Sequence, residues 1–377
     1  MQTSRWIAGG VLVLVLACGG LGSQAETPRE ATASSSNTED LPKAAPNPQH
    51  GRAGHTGVLL PDGRVLFAGG HDSPAAAEVY VPAREGWEAV GALAQPRFGH
   101  AMASLPGGKV LLVGGEDPAM ADPNADPTGL THAEVFDPAT NQFAAVAPSG
   151  SAFLRPKAVA LPGGHVLVVN CEVGEVRAER YDPSADTWSS ASSPGRCAED
   201  DDLVAVDGGV LIGSGGAAYE LERYDAAADT WSKTAPAPRK RTNRLAVLPD
   251  GRVLATGRRS QADSEPDAAV FDPKTNTWEP TTAIPRTFET IDHASFALVA
   301  SGDQVWRIGG SSGRPPKASA EVEVWSAEAG TWTAVDPLKH ARLGASATAL
   351  PGGQVLVYGG RGQSGGPPLA TAEVLGR

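Results

Sequence analysis

The sequence predicts an all-β fold: a seven-bladed β-propeller with four short strands per blade. Three observations carry the prediction. A tight turn between two apolar strands recurs seven times, a glycine pair ends the second strand in four repeats, and an aromatic opens the last strand in six. The composition agrees. The 377 residues include 45 Gly and 31 Pro, as turn-rich chains do, and a 41% hydrophobic content is ample for a core.

The turns are Leu60–Leu66 (LPDGRVL), Leu105–Leu111 (LPGGKVL), Leu161–Leu167 (LPGGHVL), Val206–Leu211 (VDGGVL), Leu248–Leu254 (LPDGRVL), Ala300–Trp306 (ASGDQVW) and Leu350–Leu356 (LPGGQVL). Asp-Gly and Gly-Gly supply the positive φ angles of two-residue hairpin turns. The glycine pairs are Gly69-Gly70, Gly114-Gly115, Gly309-Gly310 and Gly359-Gly360. Asn170-Cys171, Ser214-Gly215 and Gly257-Arg258 replace them in blades 3 to 5. A strand of the Ala-Glu-Val-Tyr type follows, as at 77–80 and 133–136, and then an aromatic: Trp87, Phe143, Trp188, Trp231, Trp278 and Trp332. These aromatics, with Tyr80, Tyr181 and Tyr224, are read as packing between blades, since a blade cannot bury its faces alone. Blade 7 has only a third strand at 372–377. Residues 38–45 are the expected donor of the fourth, pairing with 371–375, and a three-stranded last blade is the alternative.

The glycine pair, the Tyr-Asp-Pro of strand three and the later Trp together resemble the kelch repeat over residues 51–377. The resemblance implies a kelch-type propeller of the galactose oxidase/kelch superfamily, whose members are commonly interaction modules. It also brings two enzyme classes into view. Copper radical oxidases use a Cys-crosslinked Tyr, a second Tyr and two His. Exported sialic acid mutarotases act on an acidic sugar. No Tyr or His here falls into the copper pattern, so no cofactor is expected.

The N-terminus reads as an export signal. Ile7–Ala17 is an apolar run too short to span a bilayer. Val15-Leu16-Ala17-Cys18-Gly19 resembles a bacterial lipobox, which implies cleavage before Cys18 and its acylation. Residues 1–17 are thus a signal peptide and 18–50 a lipid-anchored flexible tether, poor in large apolar groups, whose end is a candidate closing strand. Gly19 in place of Asp favours the outer membrane of a bacterial envelope. A net charge of −12 argues against a nucleic-acid partner, and a monomer is expected.

With strands lettered a to d from the axis outward, the variable b–c loops and d–a links share one face, where binding is expected. Aligning the starts of strand a places Arg342, Arg52 and Arg97 on one arc of the channel mouth, with His55 and His100 just inside. Asp292 and residues 199–202 face them as an acidic arc. A carboxylate or acidic sugar would suit such arginines. The alternative is that they hydrogen-bond neighbouring loops. Cys171 and Cys197 lie on this same face and are the candidate disulfide. Asp122, Asn124 and Asp126 alternate as calcium loops do, but Pro127 and Ala133 stand where Gly and Glu belong, so no metal is expected. The expected function is a non-catalytic, membrane-anchored propeller that binds a protein or glycan through this face. A mutarotase-like enzyme is the alternative.

Overall fold

The recurring turn works through one residue. Gly63 sits at φ 84°, and the Leu60 and Arg64 backbones close around it, with the Leu60 N–H donating to Arg64 O at 2.7 Å. The hairpin so formed is strands a and b, and seven of them radiate from the axis. The computed structural model describes residues 43–44, 48–120, 128–172, 175–198, 201–213, 219–238, 242–257, 268–282, 284, 296–312 and 317–376. Residues 1–42, which hold the expected signal peptide, Cys18 and most of the expected tether, lie outside them, as do Asp292, the 199–200 acidic pair and the Asp122–Asp126 loop.

Each blade is a four-stranded antiparallel sheet. Blade 1 consists of Thr56–Leu59, Val65–Ala68, Ala77–Val81 and Gly86–Ala89, in order from axis to rim. The innermost strands begin at Thr56, Ala101, Lys157, Leu203, Arg244, Ala297 and Ser346, and each touches the next around a closed ring. Strand b is buried on both faces, whereas strand d, as in blades 3 and 4, exposes all but its aromatic. That is the pattern expected when b lies mid-blade and d faces solvent.

Blade 7 takes its fourth strand from the start of the chain. Lys43–Ala44 pairs antiparallel with Ala372–Leu375, in the register Lys43 to Val374 and Ala44 to Glu373. This falls within the segments expected to pair, and it covers an edge that would otherwise template aggregation.

The aromatics of strands c and d face each other directly: Tyr80 and Trp87, Phe136 and Phe143, Tyr181 and Trp188, Tyr224 and Trp231, Phe271 and Trp278, Trp325 and Trp332. The cores they serve straddle blades. Leu66 and Val79 of blade 1 pack with Val110, Leu112 and Phe136 of blade 2, and Phe67 and Tyr80 pack with Leu356 and Tyr358 of blade 7.

Three tryptophans also anchor the preceding blade by hydrogen bonds. The Nε1–H groups of Trp188, Trp231 and Trp278 donate to Ala147 O, Ser192 O and Ala235 O at 2.7, 2.7 and 2.8 Å. The N–H of each of those same residues donates to Asp186, Asp229 or Asn276. Those Asp and Asn residues hold a left-handed turn conformation (φ 52–56°) that they tolerate better than most. One residue leaving each blade is thus gripped at both its N–H and its C=O.

Candidate functional site

The mouth of the loop face is built on the strand-a approaches and the b–c loops. Arg52, Arg97 and Arg342, expected to line it, have fully buried side chains. Each is paired with the Glu of its own blade's Ala-Glu-Val strand. Arg52 Nε reaches Glu78 at 3.1 Å, Arg97 Nη2 reaches Glu134 at 2.9 Å, and Arg342 Nη2 reaches Glu373 at 2.7 Å. Each Nη1 donates to two b–c loop carbonyls: Gly69 and Ala76, Gly114 and His132, and Gly359 and Thr371. The same carboxylates accept link N–H groups, such as those of Ala94 and Gln95 on Glu134 and Lys339 and His340 on Glu373. These arginines therefore hold loop to link rather than offering a fork to a ligand. A guanidinium buried away from water needs acceptors of this kind.

His55 and His100 lie between blades. A Cβ on Gly359 would meet His55 Cε1 at 2.7 Å, and one on Gly69 would meet His100 Cε1 at 2.8 Å, so the first residue of each pair must be glycine. His55 Nε2 is 2.8 Å from Ser346 Oγ, and its ring centroid lies 5.0 Å from that of Tyr358. Loss of water, then the charge of Arg52, pushes its pKa down to about 3. His100 is held well below the usual range, by burial first and Arg97 second, and neither of its ring nitrogens has a hydrogen-bond partner. Both imidazoles are neutral at physiological pH.

The residues that do reach the surface of this arc are different ones. His71, exposed on the blade 1 b–c loop, stacks on Phe98 with centroids 4.0 Å apart and planes 30° from parallel. Arg155, exposed on the approach to blade 3, donates to Glu116 Oε1 from Nε and Nη2, both at 3.3 Å. Desolvation lowers the His71 pKa, and the charges of Arg361 and Arg155 add to that against the opposing charge of Asp72. The basic arc thus exists, but Arg155 and Arg361 carry it. One signal in the sequence could have found it: Phe98 occupies the place after the buried arginine where blade 1 has Ala53.

On the opposite arc, Asp202 accepts from Arg244 Nη1 at 2.8 Å and from the Leu245 N–H at 2.9 Å. Asp201 is fully buried and accepts from the Ala198 N–H at 2.7 Å. The Asp202 carboxylate thereby ties blade 4 to blade 5. Cys171, ending strand b of blade 3, is bonded to Cys197 in the link to blade 4, with Cα atoms 5.4 Å apart.

No known family profile matches the chain, and no curated protein does. Among solved structures, a fungal alcohol oxidase of the AA5 family, in complex with copper, has a TM-score of 0.63 and 13% identity over 89% of this chain and 76% of that one. The likeness is one of fold.

The donor set here does not fit a copper radical centre. The Tyr181 and Tyr224 hydroxyls donate to Asp186 and Asp229 at 2.9 and 2.7 Å, toward the rim of their blades. The Tyr358 hydroxyl donates to His50 O and to Glu78. Cys171 and Cys197 are spent on each other. Among the described residues, no group of three His, Cys, Asp or Glu is placed to hold a metal ion.

Proposed function

We propose that the chain is a binding propeller of the bacterial envelope, held to a membrane by a lipid on Cys18, which recognises a protein or glycan through its b–c loop face. The single observation that carries the reading is the stack of exposed His71 on half-buried Phe98, with Arg155 and Arg361 beside it. A flat apolar platform next to guanidinium groups suits a ligand with a ring or apolar face and an acidic group. The lipobox-like Val15–Gly19 and the tether after it support membrane attachment, and the kelch resemblance supports an interaction role.

One observation favours a second reading, a kelch-type enzyme acting on an acidic sugar. His71 is an exposed imidazole kept toward its neutral, basic form beside two arginines, as a general base would need.

A thermal-shift screen of the full-length chain against acidic sugars, neutral glycans and acidic peptides tests both. A ligand at 100 times its Kd raises stability by about 2.7 kcal/mol. The expected result is a shift with an acidic ligand that His71→Ala/Phe98→Ala abolishes. Turnover of the ligand that shifts would move the reading to the enzyme. A shift unaltered in the double variant would remove the site from this arc.

A further inference from the structure

The opposite face, with the a–b and c–d turns, has a joint that recurs between three pairs of neighbouring blades. Between blades 1 and 2, Arg64 donates from Nη1 to Asn141 Oδ1 and from Nη2 to Pro138 O, both at 2.8 Å. Between blades 3 and 4, Arg180 Nη2 approaches Asp229 Oδ2 at 3.9 Å. Between blades 4 and 5, Arg223 donates to Pro273 O at 3.0 Å. In each case an arginine of one blade reaches into the groove and meets the c–d turn of the next.

Between blades 2 and 3 the arginine is missing. The residue aligned with Arg64 is Lys109, which turns back to Asp137 of its own blade at 3.0 Å. The residue aligned with Arg180 and Arg223 is Val135. What remains is a cavity of about 690 Å³, within the range of ligand sites. Phe143 and Val135 line it on the blade 2 side. On the blade 3 side are Pro183 and Asp186, the counterparts of the acceptors that the other grooves give to arginine. Asp137 and Asp182 add to the lining, and a hydrogen bond from the Ala139 N–H holds the first carboxyl, and one from the Ser184 hydroxyl the second, below the usual carboxylate range. Lys109 is committed to Asp137, and the His165 ring lies 3.6 Å from Asp182. Between blades 6 and 7 the arginine is likewise absent, Gln304 and Val324 taking its two positions, and a second cavity of about 700 Å³ lies there. Its blade 7 side has Leu375 and Gly376 where blade 3 has Tyr181 and Asp182, so it lacks the acceptor turn.

We propose that the groove between blades 2 and 3 is a binding site for an arginine side chain of a partner polypeptide. The incoming guanidinium would take the place that Arg64, Arg180 and Arg223 fill elsewhere, its stem against Phe143 and Val135 and its fork toward the Pro183–Asp186 turn. An acidic groove on a chain of net charge −12 also attracts such a segment from a distance.

The test is calorimetry on the full-length chain with a blocked arginine tripeptide, its uncharged citrulline isostere and its lysine counterpart. The arginine peptide should bind at least tenfold more tightly than the citrulline one, and more tightly than the lysine one, which lacks the fork. Val135→Arg installs the arginine of the neighbouring grooves and should abolish binding without lowering the Tm. Asp186→Asn keeps the fold, since Asn stands at the aligned positions 141 and 276, and should weaken binding at least fivefold. Equal binding of the citrulline peptide, undiminished binding to both variants, or no binding to the unaltered chain overturns the proposal. Should Val135→Arg not fold, Asp186→Asn decides.

Discussion

In blades 1, 2, 6 and 7 the second glycine of the pair donates its N–H to the link entering the next blade: Gly70 to Arg97 O, Gly115 to Phe153 O, Gly310 to Arg342 O and Gly360 to Arg52 O, at 2.8–3.0 Å. In blade 3 that position is Cys171, and its side chain is bonded to Cys197, the neighbour of Ala198 at the aligned place in the link. The same joint is closed by a hydrogen bond in one region and by a covalent bond in the other. The arginines divide the same way. Blades 7, 1 and 2 seal loop to link with Arg–Glu pairs. Blades 3 and 4 have Phe153 and Ala198 at the arginine position, and there Glu179 and Glu222 accept N–H groups of Gly150 and Gly195. One arc therefore depends on charge and the other on oxidation.

The largest effect that would break this comparison is expected from Arg97→Ala. It leaves Glu134 buried without its cation and strips two loop carbonyls of a donor, a loss of about 3–5 kcal/mol. Urea denaturation checks it, and a loss under 1 kcal/mol would mean the clamp is not what holds this arc. On the other arc, Cys197→Ser should cost about 3–4 kcal/mol, the entropy of closing a loop with a sequence separation of 26. A reducing agent should lower the Tm of the unaltered chain and leave the variant unmoved. Equal sensitivity of the two to reductant would contradict the assignment.

Two smaller effects sharpen it. Trp231→Phe removes the Nε1–H bond to Ser192 O while keeping a ring against Tyr224, so about 1 kcal/mol should be lost. The pH response should belong to the clamped arc. His55 and His100 are neutral in the fold, and in the unfolded chain they take up protons below about 6.5. The unfolded state then binds more protons, so their contribution to stability falls as pH drops from about 6.5 toward 3 and is level above that window. His100→Gln should flatten the acid limb of a plot of urea midpoint against pH. An unchanged slope would assign the acid limb to other groups.

The fold was legible because its signals are local. A hairpin glycine, a glycine pair and a Tyr–Trp couple each lie within one repeat, and their recurrence gave blade number, strand order and the donor of the closing strand. The mouth was not legible in the same way. Arg52 reads as a ligand-facing cation until Glu78 arrives from strand c, and nothing within a few residues of Arg52 announces that partner. His71 and Phe98 come from different blades, and their stack exists only once blades 1 and 2 have docked. Cys171 and Cys197 were paired from their places on one face, a relation the repeat alignment preserves. The bridging arginines of the turn face escaped notice because they occupy two different alignment positions, 64 in blade 1 and 180 or 223 in blades 3 and 4.

The clasp between Lys43–Ala44 and Ala372–Leu375 bears on the order of events during synthesis. The segment at 43 leaves the ribosome first among the described strands, and its partner at 372–375 leaves last among them. Six blades can form in sequence while the chain grows, but the seventh waits for residues 372–375 to emerge. Until then the ring is an open arc with a bare edge at each end. A chain that stops before Ala372, or one trimmed past Ala44, would leave that arc permanently ajar.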